Sequence, residues 1–225
     1  MLMAPPDDPA DTRTLAIFGP GKVGESIGRL ALAAGRTVMY VGSPRHKSLQ
    51  AFMDVTVPGS LAVPAPEAVR QAGVIVLAVP FSAATTLPWH LFSEHLVIDA
   101  MNHWPPVDWS RTPLPDLSTS EEHALLNPRM RLAKTLNHLG FVELEDDSLP
   151  AGDPLRRTLA FATDHDRDRP AIVALLDDLG FDALDLGLLS EGRWLEPGFP
   201  AFGRDLDAVG FPAAIAKSKA LYERS

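Results

Sequence analysis

The chain of 225 residues contains no cysteine. Disulfides, thiolate zinc sites and a cysteine nucleophile are thereby excluded. Positive charge is also scarce: 20 Lys and Arg stand against 29 Asp and Glu, a formal net charge of -9. Non-specific nucleic-acid binding needs clustered cations that displace counterions, so nucleic acid is not an expected partner. No run of about 18 apolar residues occurs, so no membrane span is expected. The Pro- and Asp-rich start, residues 1–13, lacks both a basic opening and an apolar run. It reads as a disordered tail rather than a signal peptide, and a cytoplasmic location is the default. Internal repeats and low-complexity segments are missing too. What remains is a chain that is 46% hydrophobic, enough to bury a sizeable core.

The densest local signal is Gly19-Pro20-Gly21-Lys22-Val23-Gly24. An apolar strand, Leu15 to Phe18, leads into it, and an amphipathic helix from about Lys22 to Ala34 leads out. Val23, Ile27, Leu30, Ala31 and Ala34 share one face of that helix at helical spacing. Gly35 stands where a C-terminal cap belongs, and a second apolar strand, Thr37 to Val41, follows at once. This strand–turn–helix–strand unit is the arrangement that holds a dinucleotide pyrophosphate. Gly19 permits the tight turn, Gly21 leaves room for a phosphate, and Gly24 lets helix and strand pack closely. The first helical turn offers unpaired N–H groups and a positive dipole end.

After the second strand comes Gly42-Ser43-Pro44-Arg45-His46-Lys47. Sites specific for NAD usually place a carboxylate there for the ribose 2′-hydroxyl. This chain has none until Asp54. Ser43, Arg45 and Lys47 instead suit a 2′-phosphate, so NADP(H) is the expected dinucleotide. A solvated basic turn is the plainer alternative.

The run Gly73 to Pro80 reads as a parallel strand buried on both faces. Ligands lie at the carboxyl ends of such strands, which makes Val79, Pro80 and Phe81 candidates for the wall beside the nicotinamide; a purely core role for Phe81 competes with this. A helix is expected from about Ser82 to Phe92. His95 to Ala100 reads as the next strand, ending at Met101-Asn102-His103-Trp104. Asn102 could hold a carboxamide, and His103 could donate a proton or serve as a structural hydrogen-bonding group.

Ser118-Thr119-Ser120-Glu121 fits a capping box opening a helix. Arg129 to Leu136 is a further strand, ending at Asn137-His138. Leu139 to Glu145 reads as a short helix, and Glu145 to Asp147 as a solvated turn. Between about Val55 and Pro66 only a minor strand and a loop are expected. The segment Asp164 to Arg169 invites a metal reading, but Asp166 or Asp168 capping the next helix accounts for it more simply; no metal site is expected. The predicted fold is α/β: a Rossmann-type, doubly wound, mostly parallel sheet with a small α/β C-terminal extension. Residues 14–145 form the NADP-binding part, and residues 146–225 the extension that completes the sheet and the acceptor pocket.

An ordered set of segments resembles the family of coenzyme F420-dependent NADP oxidoreductases. The segments are Ile17 to Gly24, Gly42-Ser43-Pro44-Arg45, Val76 to Pro80, Val97 to Asn102 and Lys134 to Asn137. They continue with Leu179 to Asp182, Asp185-Leu186-Gly187 and Arg193-Trp194-Leu195-Glu196-Pro197. The resemblance implies NADP(H) across the glycine turn, with Ser43 and Arg45 on the 2′-phosphate. It also implies last segments that shape an acceptor pocket and often a dimer contact, hence a homodimer. Pro20, Pro44 and Trp104 with the Pro-rich loop after it depart from the family's usual residues.

The expected activity is hydride transfer between NADP(H) and a flat acceptor, a deazaflavin such as coenzyme F420 or a flavin. Such a transfer needs positioning more than acid–base groups, and no convincing catalytic dyad stands out. Asn102, Asn137 and His138 are the positioning candidates. Two alternatives are an NADPH-binding sensor without turnover and a reductase of the imine, pyrroline-carboxylate or β-hydroxyacid type. The latter enzymes add a large helical domain for which strands running on to Leu186 leave little chain.

Overall fold

The computed structural model describes residues 12–43, 48–110, 112–114 and 116–223. The expected N-terminal tail and the residues Pro44 to Lys47, including Arg45 and Lys47, lie outside the described residues, apart from residues 12 and 13 of the tail.

Eight strands form one sheet. They are Thr14–Phe18 (β1), Thr37–Val41 (β2), Leu61–Ala62 (β3), Val74–Leu77 (β4), Leu96–Asp99 (β5), Arg131–Lys134 (β6), Thr158–Thr163 (β7) and Asp182–Asp185 (β8). Their spatial order is β3-β2-β1-β4-β5-β6-β7-β8. Strands β1 to β6 pair in parallel, β7 runs antiparallel to β6, and β8 is parallel to β7. The fold is the expected Rossmann-like α/β architecture.

The continuous apolar strands are explained by burial on both faces. Alternate residues of β1 enter opposite cores: Leu15 and Ile17 join one cluster, Ala16 and Phe18 the other. β4 divides likewise, with Val74 and Val76 on one side and Ile75 and Leu77 on the other. Lys22–Ala33 (α1) covers the first face through Ile27 and Ala31. Arg169–Asp178 (α6) covers it through Ile172, Leu175 and Leu176. A third cluster, with Trp194, Leu195, Phe211 and Ile215, anchors the last helix, Gly210–Tyr222 (α7).

Several elements differ from the sequence expectation. Leu49–Thr56 is a helix (α2) ahead of β3, and its last two residues, Val55 and Thr56, fall in the stretch where only a minor strand and a loop are expected. Ala65–Gln71 (α3) starts with Pro66 in its first turn, as proline's fixed φ allows. The expected helix over 82–92 is instead two short 3-10 turns, Phe81–Thr86 and Trp89–Leu91. Pro88 separates them, because it forces the residue before it out of the helical region. Thr119–Leu126 (α4) carries the expected capping box between Ser118 and Glu121. Phe141–Asp146 (α5) is the expected short helix. The acidic stretch at its end is not simply solvated: Glu145 accepts from Arg29 Nε at 3.0 Å and Asp147 pairs with Arg157.

Before α6 the expected side-chain cap is not made. The Asp168 carboxylate instead accepts from Arg131 Nε at 2.8 Å, which ties α6 to β6, and Asp166 pairs with Arg169. Among the described residues no three His, Asp or Glu gather as metal ligands. None of the described helices is long and apolar enough to cross a membrane.

Candidate dinucleotide and acceptor site

The strand order reverses between β1 and β4, so a crevice opens at the carboxyl ends of these two strands. The glycine turn lies in it. Gly19 donates its N–H to Val41 O at 3.2 Å, and Ala78 donates to Phe18 O at 2.8 Å. Gly19 has φ +116°, and a Cβ there would meet Ala78 O at 2.4 Å. At Gly24 a Cβ would meet Gly19 O at 2.1 Å. Both glycines are therefore required by the protein's own backbone.

Gly21 is different. Its φ is -98°, which any residue adopts, and a Cβ there would meet nothing within 4 Å. It caps α1 without any side-chain hydrogen bond. The helix thus opens with uncapped N–H groups beneath space that no protein atom fills. That is what an anion at a helix N-terminus needs, and the pyrophosphate of a dinucleotide fits it. Pro20, Lys22 and Val23 complete the turn, and Lys22 Nζ stands 3.9 Å from the buried Glu25.

Ser43 is exposed just beyond β2. Past β4, Val79 is half-buried and Pro80 exposed, so both keep surface just beyond the carboxyl end of that strand. Phe81 does not: it is fully buried, with ring centroids 5.4 Å from both His103 and His123. It is a core residue, not a surface one.

The three positioning candidates come together at the ends of β5 and β6. Asn102 donates Nδ2–H to Asn137 O at 2.6 Å, and Asn137 Nδ2 donates back to Asn102 Oδ1 at 2.9 Å. Asn137 also donates to Leu195 O at 2.7 Å. Asn137 is buried and its amide is committed to the protein, so it orients Asn102 and not a ligand. His138 is buried as well. Its Nε2 accepts from Ala160 N–H at 3.2 Å, while Nδ1 faces Asn137 Oδ1 at 3.4 Å. Burial, then the nearby Lys134 and Arg157 charges, lower its pKa from 6.5 to about 3. His138 is therefore a neutral structural group, not a proton donor. Asn102, half-buried, is the member of the trio that faces outward.

Beneath this trio lies a buried polar cluster that the sequence did not disclose. Asp99 and Lys134 are register partners on β5 and β6, both fully buried. Asp99 Oδ1 accepts Met101 N–H at 2.9 Å, and Lys134 Nζ donates to Met101 O at 2.5 Å. The two charges, 3.7 Å apart, grip both peptide groups of the residue before Asn102. Asp99 Oδ2 also accepts from Ser120 Oγ at 2.6 Å and faces His123 Nδ1 at 3.1 Å. Burial alone pushes the Asp99 carboxyl up. Lys134, His123 and the hydrogen bonds outweigh it and hold the group well below the usual carboxylate range. In the sequence the pair shows only as a charged residue at the end of each of two short strands.

The loop after β5 is pinned by buried Asp108, whose carboxylate accepts from Ser82 N–H and Trp104 N–H at 2.7 and 2.8 Å. The segment Arg193 to Pro197 straps α4 down: Glu196 accepts from Thr119 N–H and Oγ1 at 2.8 and 2.7 Å, and Arg193 pairs with Glu121 at 3.3 Å.

Residues 14–103 match the family described as NADP oxidoreductase, coenzyme F420-dependent. No curated protein matches the chain. A hypothetical protein from Sinorhizobium meliloti of solved structure is 26% identical over 86% of this chain and 94% of that one, with a TM-score of 0.73. A protein from Arthrobacter sp. FB24 named for F420-dependent NADP reduction is 18% identical over 80% of this chain and 86% of that one, TM-score 0.61. An imine reductase from Aspergillus terreus, solved with NADPH4, is 12% identical over 93% of this chain but only 61% of its own, TM-score 0.56. The last two likenesses concern the fold. The resemblance read from the sequence holds over residues 14–103, which match the coenzyme F420-dependent NADP oxidoreductase family in the segment that carries the glycine turn.

Proposed function

We propose that the protein is an NADP(H)-dependent oxidoreductase passing a hydride between the nicotinamide and a flat conjugated acceptor of the deazaflavin or flavin type. The observation that carries this reading is the open cradle at Gly21, uncapped and unfilled, in the switch-point crevice of the segment that matches the family. Gly19, Pro20, Gly21, Lys22, Val23 and Gly24 hold the pyrophosphate in this reading. Ser43, Arg45 and Lys47 hold the 2′-phosphate, and Val79, Pro80 and Asn102 border the nicotinamide. The bound dinucleotide supplies the hydride.

The protein's part is to bind, orient and exclude water. Asn102 is fixed for that task by Asn137 from one side and by the Asp99–Lys134 grip on Met101 from below. No acid is needed for hydride transfer between two rings, in keeping with a neutral, internally bonded His138. An imine-type substrate is not carried over, since the chain spans 61% of the imine reductase.

Two measurements test the reading. Oxidation of NADPH, followed by its absorbance with a deazaflavin or FMN as acceptor, is expected to proceed. Tight NADPH binding with no turnover on either acceptor would favour a sensor instead. Arg45→Ala is expected to weaken NADPH by about tenfold or more, from loss of a charge-assisted contact, with NADH little affected. Equal losses for both would remove Arg45 from the 2′-phosphate site.

A further inference from the structure

Strands β4 and β5 pair as far as Leu77 and Asp99, and Ala100 closes the ladder by donating its N–H to Leu77 O at 3.0 Å. Past that point the two connections leave the sheet separately. One runs through Val79 and Pro80, the other through Asn102, and these three residues border the nicotinamide in the proposed reading. Asp108 joins the connections again. Its Oδ1 accepts Ser82 N–H at 2.7 Å, two residues past Pro80, and its Oδ2 accepts Trp104 N–H at 2.8 Å, two residues past Asn102.

The two oxygens have different tasks. The Trp104 bond is local: Val107 and Asp108 both return their N–H groups to Trp104 O at 2.8 Å, so residues 104–108 already form a closed turn. The Ser82 bond reaches across 26 residues. Ser82 lies in the 3-10 turn Phe81–Thr86, whose N-cap is Pro80, a residue with no side-chain acceptor. Asp108 supplies that cap from the other connection. A loop held only for its own sake would not need this bond. In the same gap the Phe81 and His103 rings meet edge to face, centroids 5.4 Å apart and planes at 78°. Asp108 is buried, with 1% of its surface exposed. Burial raises its carboxyl, but the two N–H groups, the Ser82 hydroxyl and nearby His103 outweigh this and hold it below its ordinary 3.8. An ionised carboxylate only accepts, so it takes both N–H groups at once; the amide of an Asn would set its own N–H against one of them.

We infer that Asp108 is a positioning residue for the hydride transfer: by holding the turn after Pro80 against the turn after Asn102, it sets the spacing of the residues that border the nicotinamide ring. The inference rests on the oxidoreductase reading. Asp108 acts through Pro80 and Asn102 and needs no contact with the ring. A misplacement of about 1 Å costs on the order of a hundredfold in rate. The spacing therefore matters more to transfer than to binding, which the glycine turn carries.

Asp108→Asn and Asp108→Glu separate spacing from hydrogen bonding. The first leaves one N–H unsatisfied. The second keeps the charge and both acceptors but sets them about 1.5 Å farther out, one carbon–carbon bond. Each protein is titrated with NADPH, and single-turnover oxidation of NADPH is followed with FMN or a deazaflavin. Both variants are expected to slow transfer by about tenfold to a hundredfold, with NADPH affinity little changed. Both are also expected to lower the fluorescence of bound NADPH, because a loosely held nicotinamide loses excitation to motion. A structural role alone predicts a different result for Asp108→Glu, whose hydrogen bonds are kept. Wild-type transfer and wild-type bound fluorescence in that variant would overturn the inference, whatever stability loss urea denaturation shows. So would an NADPH affinity that falls in step with the rate in both variants, which would place the damage in the whole crevice. A wild type that binds NADPH but passes no hydride to either acceptor would sink the oxidoreductase reading and this inference together. Transfer that proceeds and that neither substitution alters would remove Asp108 alone.

Discussion

Four glycines in and after the first turn look alike in the sequence but meet different surroundings. Gly19 and Gly24 are demanded by backbone that lies 2.4 and 2.1 Å from where their Cβ atoms would be. Gly28 is demanded by a side chain: its Cβ would fall 1.9 Å from Tyr40 Oη, which donates to Gly24 O at 2.7 Å and locks α1 onto β2. Gly21 is demanded by nothing in the protein. The two kinds should separate on substitution. Gly28→Ala is expected to cost about 1–3 kcal/mol by overpacking, measured by urea denaturation. Gly21→Ala is expected to leave stability within about 0.5 kcal/mol while lowering NADPH affinity about tenfold or more, because the methyl enters the phosphate's approach. A Gly21→Ala protein that binds NADPH normally would count against the cradle. The roles of Gly19 and Gly24 were legible in the sequence because the turn is local and its spacing is fixed. That of Gly28 was not, since its reason sits twelve residues away on another strand.

Strands were easier to read than helices. Continuous apolar runs located β1, β2, β4 and β5, since burial on both faces leaves an unbroken pattern. The 82–92 segment misled because its small residues and Thr pairs tolerate a helix while Pro88 forbids a long one. Helix α2, Leu49–Thr56, is short and fully buries only Met53, so it offers no long apolar stripe to read. The Asp99–Lys134 pair escaped for a different reason: its partners are 35 residues apart, and only strand register brings them opposite each other. Lys134→Met is expected to cost about 3–5 kcal/mol, because it leaves a buried carboxylate without its cation. In whatever folds, kcat should fall more than NADPH affinity, since Met101 and hence Asn102 lose one of their two grips while the glycine turn is untouched. Unchanged kcat in a folded Lys134→Met protein would reduce the pair to a purely structural role. The capping box is a smaller effect: Ser118→Ala is expected to cost about 1 kcal/mol, read from the thermal midpoint.

The sheet continues past β6 through an antiparallel strand, and this join carries the buried His138. Thr135 Oγ1 donates to Ala160 O at 2.8 Å, and His138 accepts from Ala160 N–H, so both backbone groups of one β7 residue are held by the turn after β6. The second contact requires a neutral imidazole, because protonated Nε2 cannot accept. In the unfolded chain the ring titrates near its ordinary value of 6.5; in the native protein burial lowers this to about 3. Unfolding therefore takes up a proton at any pH between the two. The stability contributed by His138 is complete above pH 6.5 and is lost as pH falls towards about 3, at up to about 1.4 kcal/mol per pH unit. His95, also lowered by burial, adds to the same trend, so the wild-type slope alone does not identify the residue. The difference between proteins does. Urea midpoints from pH 7 to pH 4 are expected to fall less steeply in His138→Gln than in the wild type, by close to one proton's worth of slope. Parallel slopes would mean that His138 is already protonated in the native state, and that the join between β6 and β7 is held some other way.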